Sequence, residues 1–550
     1  MPSFQKDSKT GAQIIADRLK AAGCAHAFGI PGGEVLALLE ALDGAGIAFH
    51  LTKHENAAGF MAEGVWHAEP TGSRALGLLI ATLGPGVANA VNVVANAMQD
   101  RVPMLFLTGC IDAAEAETYT HQVFDHQAML RPIVKGSFKA ATGAVGPMIE
   151  KALALAFDGQ PGPVHIDLPI SVAEQISAEP TLRPAPVPAP TVPAASNPLG
   201  EAITALNMAS RPIILAGLDA VNEGASSALI DFAQQFNIPV VTTYKGKGLI
   251  PETHPLSLGG HGLSPKSDEI ILPVLKEADC VLLVGYDPIE MRIGWRDPFG
   301  QDATVIEIAP NLRLHGMHRT DVTLHGNTAP TLALLGAAMQ PTPVWQGDTI
   351  ARAKAALGAG FTPATDIGPK FSPGQVFKTL NDTLPVETVI TADSGAHRIL
   401  LSQTWVSTFP HAFLQSTALC TMGCAVPLAG GYKLAKPDTP VCAFVGDAGL
   451  EMGLGELATL RDMKLPIIIC VLVDESLALI ELKQRSTQRP NVGVDFDGTD
   501  FVGVVNAMGG YGIWVDDAAT LAEEAGAALT RDTYTVLACR IGRRAYDGTF

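Results

Sequence analysis

Two aspartates stand at the ends of two apolar runs that one helical segment joins. Asp447 follows the run VCAFV (441–445) after a single glycine, and Asp474 directly follows LPIIICVLV (465–473). Between the runs, hydrophobic residues recur every three or four positions, as in an amphipathic helix. The segment therefore predicts a β-α-β unit with a carboxylate at the carboxyl end of each strand, the edge where parallel sheets bind ligands. Two oxygen donors there suit a hard cation such as Mg²⁺.

On this segment alone, the two acids could equally end strands and start helices without binding anything. A distant segment, KHENAAGFMAEG (53–64), bears on the choice. Together the two segments resemble the thiamine diphosphate enzymes of the acetohydroxyacid synthase and pyruvate decarboxylase superfamily. Four further segments match that superfamily in its order along the chain: FGIPGG (28–33), TLGPGVAN (82–89), GPVHIDLP (162–169) and Met422-Gly423 with Pro427. The resemblance runs through nearly the whole chain.

The elements that must position these residues form three similar blocks. Each block alternates apolar strand-like runs with helix-length segments, and 550 residues are too many for one core. The predicted fold class is α/β, with three doubly wound parallel-sheet domains; the resemblance implies pyrimidine-binding, middle and diphosphate-binding domains, the first and third similar in fold. The predicted bounds are 1–178 for the first domain, 179–198 for a Pro-rich linker, 199–340 for the middle domain, 341–370 for a second linker and 371–550 for the third domain.

Composition excludes several classes of partner. The net charge of −18 argues against nucleic acid and anionic membranes. No apolar run approaches the roughly 20 residues of a membrane span, and the N-terminus lacks the hydrophobic stretch of a signal peptide. None of the eight cysteines forms a CxxC pair, so buried reduced thiols are expected, and with them a cytoplasmic location.

The resemblance implies thiamine diphosphate and Mg²⁺ as cofactors. Glu55 is implied as the acid that protonates the aminopyrimidine ring, so that the ring can act as a base; the competing interpretation is a helix-start glutamate stabilised by the helix dipole. The implied metal ligands are the side chains of Asp447 and Asp474 and the backbone carbonyl of Ser476. Two positions depart from the family pattern: Asp474 replaces the usual Asn, and Ala448 replaces the central glycine of the GDG motif.

Further residues are implied to surround the cofactor. His397 is expected to contact the diphosphate, Met422 to hold the cofactor bent, and Cys420 to offer its backbone carbonyl to the aminopyrimidine. Ordinary core packing is the alternative for Met422. The remaining cofactor-binding candidates are Pro31, Gly32, Gly84, Asn89, Gly395, Gly446 and Leu477.

The substrate class implied by the resemblance is a 2-oxo acid that loses CO₂. The enamine that remains is either joined to a second carbonyl, as in acetolactate synthase, or protonated to a free aldehyde, as in a non-oxidative decarboxylase. His121 and Gln122 are the catalytic candidates that bear on this choice, because pyruvate decarboxylases carry His-His there and acetohydroxyacid synthases carry Phe-Gln. His121 is a candidate proton donor, although a surface loop histidine is the competing interpretation.

The substrate candidates favour the carboligase. Leu479 and Ile480 form an apolar pair where pyruvate decarboxylases place a glutamate, and Gly33 stands where those enzymes have an aspartate. Lys483 does not match the tryptophan of the synthases, which leaves it as an anion-binding candidate or a solvated helix lysine. Arg292 falls close to the family's carboxylate-binding arginine.

The resemblance also implies an assembly. The cofactor is expected between the first domain of one subunit and the third domain of another, in a homodimer or homotetramer. FAD binding stays an open alternative without support, because no complete G-x-G-x-x-G fingerprint is present. A non-catalytic thiamine diphosphate- or nucleotide-binding protein is the alternative from another functional class.

Overall fold

The computed structural model describes residues 6–70, 72–180, 189–289, 291–313, 315–363 and 371–550. They form three six-stranded sheets and one two-stranded ribbon. Every pair of neighbouring strands within the three large sheets is parallel. Apolar clusters flank the sheets, and helices supply their outer sides. The predicted fold class is confirmed.

The first sheet has the strand order β3-β2-β4-β5-β7-β6, and β1 pairs with β8 in an antiparallel ribbon. Its central strands are apolar and buried along their whole length, as expected of strands covered on both faces. The strands are β1 Lys6–Thr10, β2 His26–Ile30, β3 Ala48–Leu51, β4 Gly77–Ala81, β5 Met104–Cys110, β6 Gly136–Lys139, β7 Pro163–Pro169 and β8 Ile176–Pro180. The helices are α1 Gly11–Ala21, α2 Leu36–Gly44, α3 Glu55–Ala68, α4 Pro85–Gln99, α5 His126–Leu130, α6 Val145–Phe157 and α7 Ile170–Glu174.

The middle sheet is wound outward from its first strand, in the order β11-β10-β9-β12-β13-β14. Its strands are β9 Pro212–Ala216, β10 Val240–Thr243, β11 Ser257–His261, β12 Cys280–Val284, β13 Thr304–Ala309 and β14 Val322–His325. The helices of this part are α8 Asn197–Met208, α9 Leu218–Asn222, α10 Ser226–Phe236, α11 Pro265–Glu277, α12 Thr328–Ala338 and α13 Thr349–Phe361.

The third sheet has the order β16-β15-β17-β18-β20-β19, which is the same winding as the first sheet. The expected similarity of these two domains is therefore confirmed. The strands are β15 Val389–Ala392, β16 Phe413–Gln415, β17 Val441–Gly446, β18 Ile468–Val473, β19 Tyr511–Val515 and β20 Thr535–Arg540. The helices are α14 Pro373–Thr383, α15 Ala396–Thr404, α16 Ala425–Ala435, α17 Asp447–Met452, α18 Glu456–Asp462, α19 Ala478–Ser486, α20 Phe501–Ala507 and α21 Ala518–Ala528. The β-α-β unit around Asp447 and Asp474 is present, with its connection divided between α17 and α18.

Both predicted linkers are partly described. Residues 181–188 of the first and 364–370 of the second lie outside the described residues. The second linker, predicted as residues 341–370, contains helix α13. Its Ala353 is buried in an apolar cluster of the middle domain, so this helix packs onto that domain. Within the described ranges, every helix is too short or too polar to traverse a lipid bilayer.

Helices α3 and α16 bring the first and third domains of the chain into close contact. A Cβ on Gly64 would lie 2.2 Å from the Leu428 carbonyl oxygen, and one on Gly431 would lie 2.0 Å from that of Met61. Only residues without a side chain allow the two backbones to approach this closely. The packing fixes the helix that begins at Glu55 against the domain that carries Asp447.

Candidate active site

A cavity of about 120 Å³ opens at the carboxyl ends of β15, β17 and β18. The winding of the third sheet reverses between β15 and β17, so this is the crevice where doubly wound sheets bind ligands. Eleven of the predicted residues line the cavity together: Gly395, His397, Met422, Gly446, Asp447, Ala448, Asp474, Ser476, Leu477, Leu479 and Ile480.

Asp447 links the ends of β17 and β18 by hydrogen bonds. Its carboxylate Oδ2 accepts the backbone N–H of Asp474 at 3.0 Å and that of Glu475 at 2.7 Å. Its Oδ1 accepts the N–H of Ala448 at 2.9 Å. Burial raises the pKa of the Asp447 carboxyl despite these donors. The carboxylate is therefore fixed in position, but these donors offset its negative charge only in part.

Asp474 lies beside it. Burial, followed by repulsion from Asp447, raises the pKa of the Asp474 carboxyl to about 8. A divalent cation held between the two carboxylates would remove this repulsion. The hydroxyl of Ser476 donates to Asp495 at 2.8 Å, and its carbonyl, the predicted ligand, accepts the N–H of Ala478 at 2.8 Å while keeping a second lone pair. An all-oxygen donor set of this kind fits Mg²⁺.

His397 forms another wall of the cavity. Its Nε2 lies 2.8 Å from Asp393, whose other carboxylate oxygen accepts the N–H of Gly423 at 2.7 Å. A Cβ on Gly395 would lie 2.5 Å from the His397 ring, so the missing side chain is what admits the imidazole. Helices α15 and α19 both begin at this cavity, and their N-terminal N–H groups favour an anion such as a diphosphate.

Glu55 is the first residue of α3 and is 4% exposed. The side-chain amide of Asn89 donates to its Oε2 at 2.9 Å. A Cβ on Gly86 would lie 3.3 Å from its Oε1, so the glycine at that position keeps space beside the carboxylate. The predicted acid is thus buried and oriented by a second predicted residue.

The loop that leads into α4 is held from two sides. Gly84 has φ +67°, and its N–H donates to His126 Nε2 at 3.1 Å. The Nδ1 of His126 lies 2.8 Å from Asp167, which fixes the imidazole with its acceptor nitrogen toward the loop. A Cβ on Gly84 would lie 2.2 Å from the Gln122 carbonyl oxygen, so the loop and the segment of Gln122 are in direct contact.

The other first-domain candidates follow strands at the same edge of the first sheet, and Gly33 begins a 3₁₀ helix. Pro31 and Gly33 are exposed, and Gly32 contacts Thr82 so closely that a Cβ would lie 2.1 Å from its hydroxyl oxygen. His121 and Gln122 are both exposed, and Gln122 has φ +60°.

A second cleft, of about 620 Å³, joins the first and third domains. It is lined from one side by residues around the start of α3, including His54 and Ala57, and from the other by Cys420 and Met422. Met422 therefore borders both cavities. Cys420 is exposed and has φ +56°.

Comparison with known protein families covers most of the chain. Residues 9–129 match "Thiamine pyrophosphate enzyme, N-terminal TPP binding domain". Residues 199–335 match the central domain of the same enzymes, and residues 393–539 match their C-terminal TPP binding domain. The chain belongs to the thiamine pyrophosphate enzyme family.

Relatives of this thiamine pyrophosphate enzyme agree over nearly its full length. "Probable acetolactate synthase large subunit" of Methanococcus aeolicus is 30% identical over 91% of this chain and 86% of its own length. The protein of the same name from Methanocaldococcus jannaschii is 32% identical over 86% of this chain and 81% of its own length. "Acetolactate synthase isozyme 1 large subunit" of Escherichia coli K12 is 30% identical, over 86% and 83% respectively. This membership identifies an enzyme that depends on thiamine diphosphate and decides against the non-catalytic alternative.

Two predicted substrate residues lie away from both cavities of the thiamine pyrophosphate enzyme. Arg292 lies in the middle domain, 3.5 Å from Asp268 in an ion pair. Lys483 is exposed on α19, while Leu479 and Ile480 of the same helix line the cavity. Neither Arg292 nor Lys483 is among the residues that line the two cavities, so their roles stay predictions.

Three residues near the site were not predicted from the sequence. Asp393 orients His397, Tyr546 lines the small cavity, and His126 supports the Gly84 loop. Asp393 follows a buried apolar strand, β15, as Asp447 follows β17, and that signal could have identified it. Tyr546 has no comparable signal, because it reaches the cavity from the C-terminal segment.

Proposed function

We propose that this enzyme catalyses an acetolactate synthase-type reaction: decarboxylation of a 2-oxo acid, followed by carboligation to a second carbonyl compound. The observation that carries the proposal is the cavity in which two buried carboxylates, a fixed imidazole and an apolar pair face one another. The names of the relatives support the reaction class.

Thiamine diphosphate, when bound, supplies the carbon nucleophile that adds to the keto group and accepts the electrons left when CO₂ departs. Asp447 and Asp474 would hold Mg²⁺ against its diphosphate, with the Ser476 carbonyl as a third ligand. Glu55 would share a proton with its aminopyrimidine ring, and Asn89 keeps the Glu55 carboxylate in the required orientation.

The wall of the cavity favours carboligation over protonation. Leu479 and Ile480 have no titratable group, so this wall of the cavity offers no acid that could donate the proton needed to release an aldehyde. His121 would be the acid of the alternative decarboxylase, and it lies on an exposed loop. The carboligase would release a joined product, and the decarboxylase would release a free aldehyde.

The proposed assembly is a homodimer or homotetramer with shared sites. The small cavity is lined by residues between 394 and 546, and Glu55 is not among its lining residues. Glu55 of one subunit would serve a cofactor held by Asp447 of another.

The proposed cofactors are thiamine diphosphate and Mg²⁺. FAD is left out of the proposed cofactor set, because no complete G-x-G-x-x-G fingerprint is present in the sequence. A cytoplasmic location is supported by eight free cysteines, seven of them buried. The domain bounds predicted from the sequence stay proposals, except that helix α13 of the predicted second linker packs onto the middle domain.

Product analysis tests the proposed function. Purified protein with thiamine diphosphate and Mg²⁺ is incubated with pyruvate and a panel of other 2-oxo acids, and acyloin-type products, aldehydes and CO₂ are measured. We expect a 2-hydroxy-3-oxo acid and CO₂, with turnover lowered by about 10²- to 10⁴-fold in Glu55→Gln. Free aldehyde as the sole organic product would establish the decarboxylase instead, and no turnover of any 2-oxo acid would contradict both.

A further inference from the structure

A cluster of three potential metal ligands lies in the middle domain, apart from the residues of the proposed function. Glu307 is on β13, and His315 and His318 follow in the segment after that strand. One ligand atom from each of the three lies within 4.8 Å of the other two. Glu307 is buried, His318 is partly buried and His315 is exposed, so the cluster reaches from the sheet to solvent.

Glu307 is a buried carboxylate on an apolar strand. It is 4% exposed, and its strand neighbours Ile306 and Ile308 are fully buried on the opposite face of the sheet. Its Oε1 has no hydrogen-bond partner among the described residues. The nearby Arg313 hydrogen bonds to Asp219 and lies 3.8 Å from Asp287, and within the described ranges it forms no ion pair with Glu307. A buried carboxylate oxygen without a partner is costly unless a ligand compensates it.

One ring nitrogen of His318 is available as a ligand. Its Nδ1 lies 3.0 Å from the Arg319 carbonyl oxygen, so this nitrogen donates and the lone pair is on Nε2. That Nε2 is buried and has no partner among the described residues. The ring is held between Tyr286 and Phe299, at centroid distances of 5.5 and 5.9 Å. A histidine that donates to a carbonyl through one nitrogen and presents the other is arranged as a metal ligand.

His315 completes the set from the solvent side. Its ring centroid lies 4.8 Å from that of His318. Its Nδ1 accepts the N–H of Met317 at 3.0 Å. Metal binding would break or rearrange this hydrogen bond, which the exposed side chain can accommodate.

The local charge also favours a cation. Three carboxylates, Glu307, Asp219 and Asp287, are buried near two guanidinium groups, those of Arg313 and Arg101. Arg101 pairs with Asp287 at 3.1 Å and Arg313 with Asp219. Of these three acids, Glu307 is the one without an ion pair in the part of the chain that the structure describes, so a bound cation would supply its missing partner.

We propose that Glu307, His315 and His318 bind a divalent transition metal ion of the Zn²⁺ class. Two imidazole nitrogens and one carboxylate oxygen suit such an ion and disfavour Mg²⁺, which takes oxygen ligands. The exposed side of His315 admits water as a fourth ligand. The ion would link the segment after β13 to the middle sheet. Its site is distinct from the proposed Mg²⁺ site at Asp447.

Metal binding to the full-length protein tests the proposal. The chelator-treated protein is saturated with Mg²⁺ and thiamine diphosphate, so that Asp447 and Asp474 are occupied, and is then titrated with Zn²⁺ by calorimetry. We expect one saturable Zn²⁺ per chain, and Co²⁺ in its place should give the visible absorption of a low-coordinate site with nitrogen ligands. His315→Ala, at an exposed position that preserves folding, should lose the site, and Glu307→Gln should weaken it.

The matched control is His325→Ala, which removes an exposed histidine from the adjacent strand β14. It should bind Zn²⁺ as the wild type does. The proposal is overturned if the wild type binds no Zn²⁺ under these conditions, or if His315→Ala binds it with unchanged stoichiometry and affinity. Circular dichroism of each variant confirms that the fold is intact.

Discussion

The amide of Asn89 donates a hydrogen bond to the buried carboxylate of Glu55 across 2.9 Å, and so links helix α4 to the first residue of α3. Both residues were predicted from separate segments of the sequence, and the structure brings them into contact. Because Asn89 acts on Glu55, we assign it a positioning role in the proposed mechanism. The contact fixes one oxygen of Glu55 and leaves the other beside Gly86.

Asn89→Ala should lower kcat without unfolding the protein. A hydrogen bond to a charged group contributes about 1.5–3 kcal/mol, which corresponds to a loss of roughly 10- to 100-fold. Steady-state kinetics with saturating thiamine diphosphate measure it. In the double variant with Glu55→Gln, the Asn89 substitution should cause no further loss. Full additivity of the two losses would mean that Asn89 does not act through Glu55.

Asp447 and Asp474 should differ in their tolerance of substitution. The Asp447 carboxylate accepts three backbone N–H groups, so Asp447→Asn replaces an acceptor by a donor and should abolish Mg²⁺-dependent cofactor binding. Asp474→Asn removes the charge that burial and Asp447 oppose, and keeps an oxygen ligand. It should retain cofactor binding within about tenfold of the wild type. Calorimetric titration with thiamine diphosphate at fixed Mg²⁺ distinguishes them; loss of binding by a folded Asp474→Asn protein would contradict the assigned role.

The third-domain site was predictable from the sequence because its signals are local. An apolar strand followed by a carboxylate marks Asp447 and Asp474, and the winding of the sheet then brings them together. Leu479 and Ile480 were predicted from the resemblance, and Lys483 lies on the same side of α19 about one turn further along, beyond the cavity. Contacts between distant segments were not predictable in this way, because they depend on how finished domains pack.

His126 is an example of such a distant contact. It accepts a hydrogen bond from the N–H of Gly84, 42 residues earlier, and its other ring nitrogen lies 2.8 Å from Asp167 on β7. Nothing in the local sequence around His126 distinguishes it from His121, which lies exposed five residues earlier.

Gly84→Ala should lower cofactor affinity and kcat more than the same substitution at a glycine with open space around it. The added Cβ would lie 2.2 Å from the Gln122 carbonyl oxygen, at a residue with φ +67°. The control, Gly143→Ala, has φ +86° and open space around the added carbon. It should therefore cost only the backbone strain of about 1–2 kcal/mol. We expect Gly143→Ala to keep wild-type cofactor affinity and kcat, and Gly84→Ala to lose both. Equal activity of the two variants would show that the contact with Gln122 does not position the loop.

A buried acid in α3 should make the stability of the protein depend on pH. Glu63 is 1% exposed, accepts the side-chain amide of Asn96 at 3.1 Å and lies 3.4 Å from His67. Burial raises the pKa of Glu63 to about 8, and Lys245 and Asp100 are the nearest charges that act on it. Burial also lowers the pKa of His67 to about 3 and that of the adjacent His411 to about 3. Folding therefore favours the neutral form of all three side chains.

Whether stability rises or falls with pH depends on which state, folded or unfolded, binds more protons. Glu63 is protonated in the folded chain and ionised in the unfolded chain between its ordinary pKa and about 8, so its contribution falls as the pH rises through that range. The two imidazoles, which are half protonated near pH 6.5 in the unfolded chain, contribute the same slope to wild type and variant and cancel in the comparison. From pH 6.5 to 8, Glu63→Gln should thus gain up to about 2 kcal/mol relative to the wild type. Thermal unfolding at a series of pH values measures the difference. The exposed Glu523→Gln should show none, and a difference for Glu63→Gln that does not change with pH would mean that Glu63 is ionised in the folded protein.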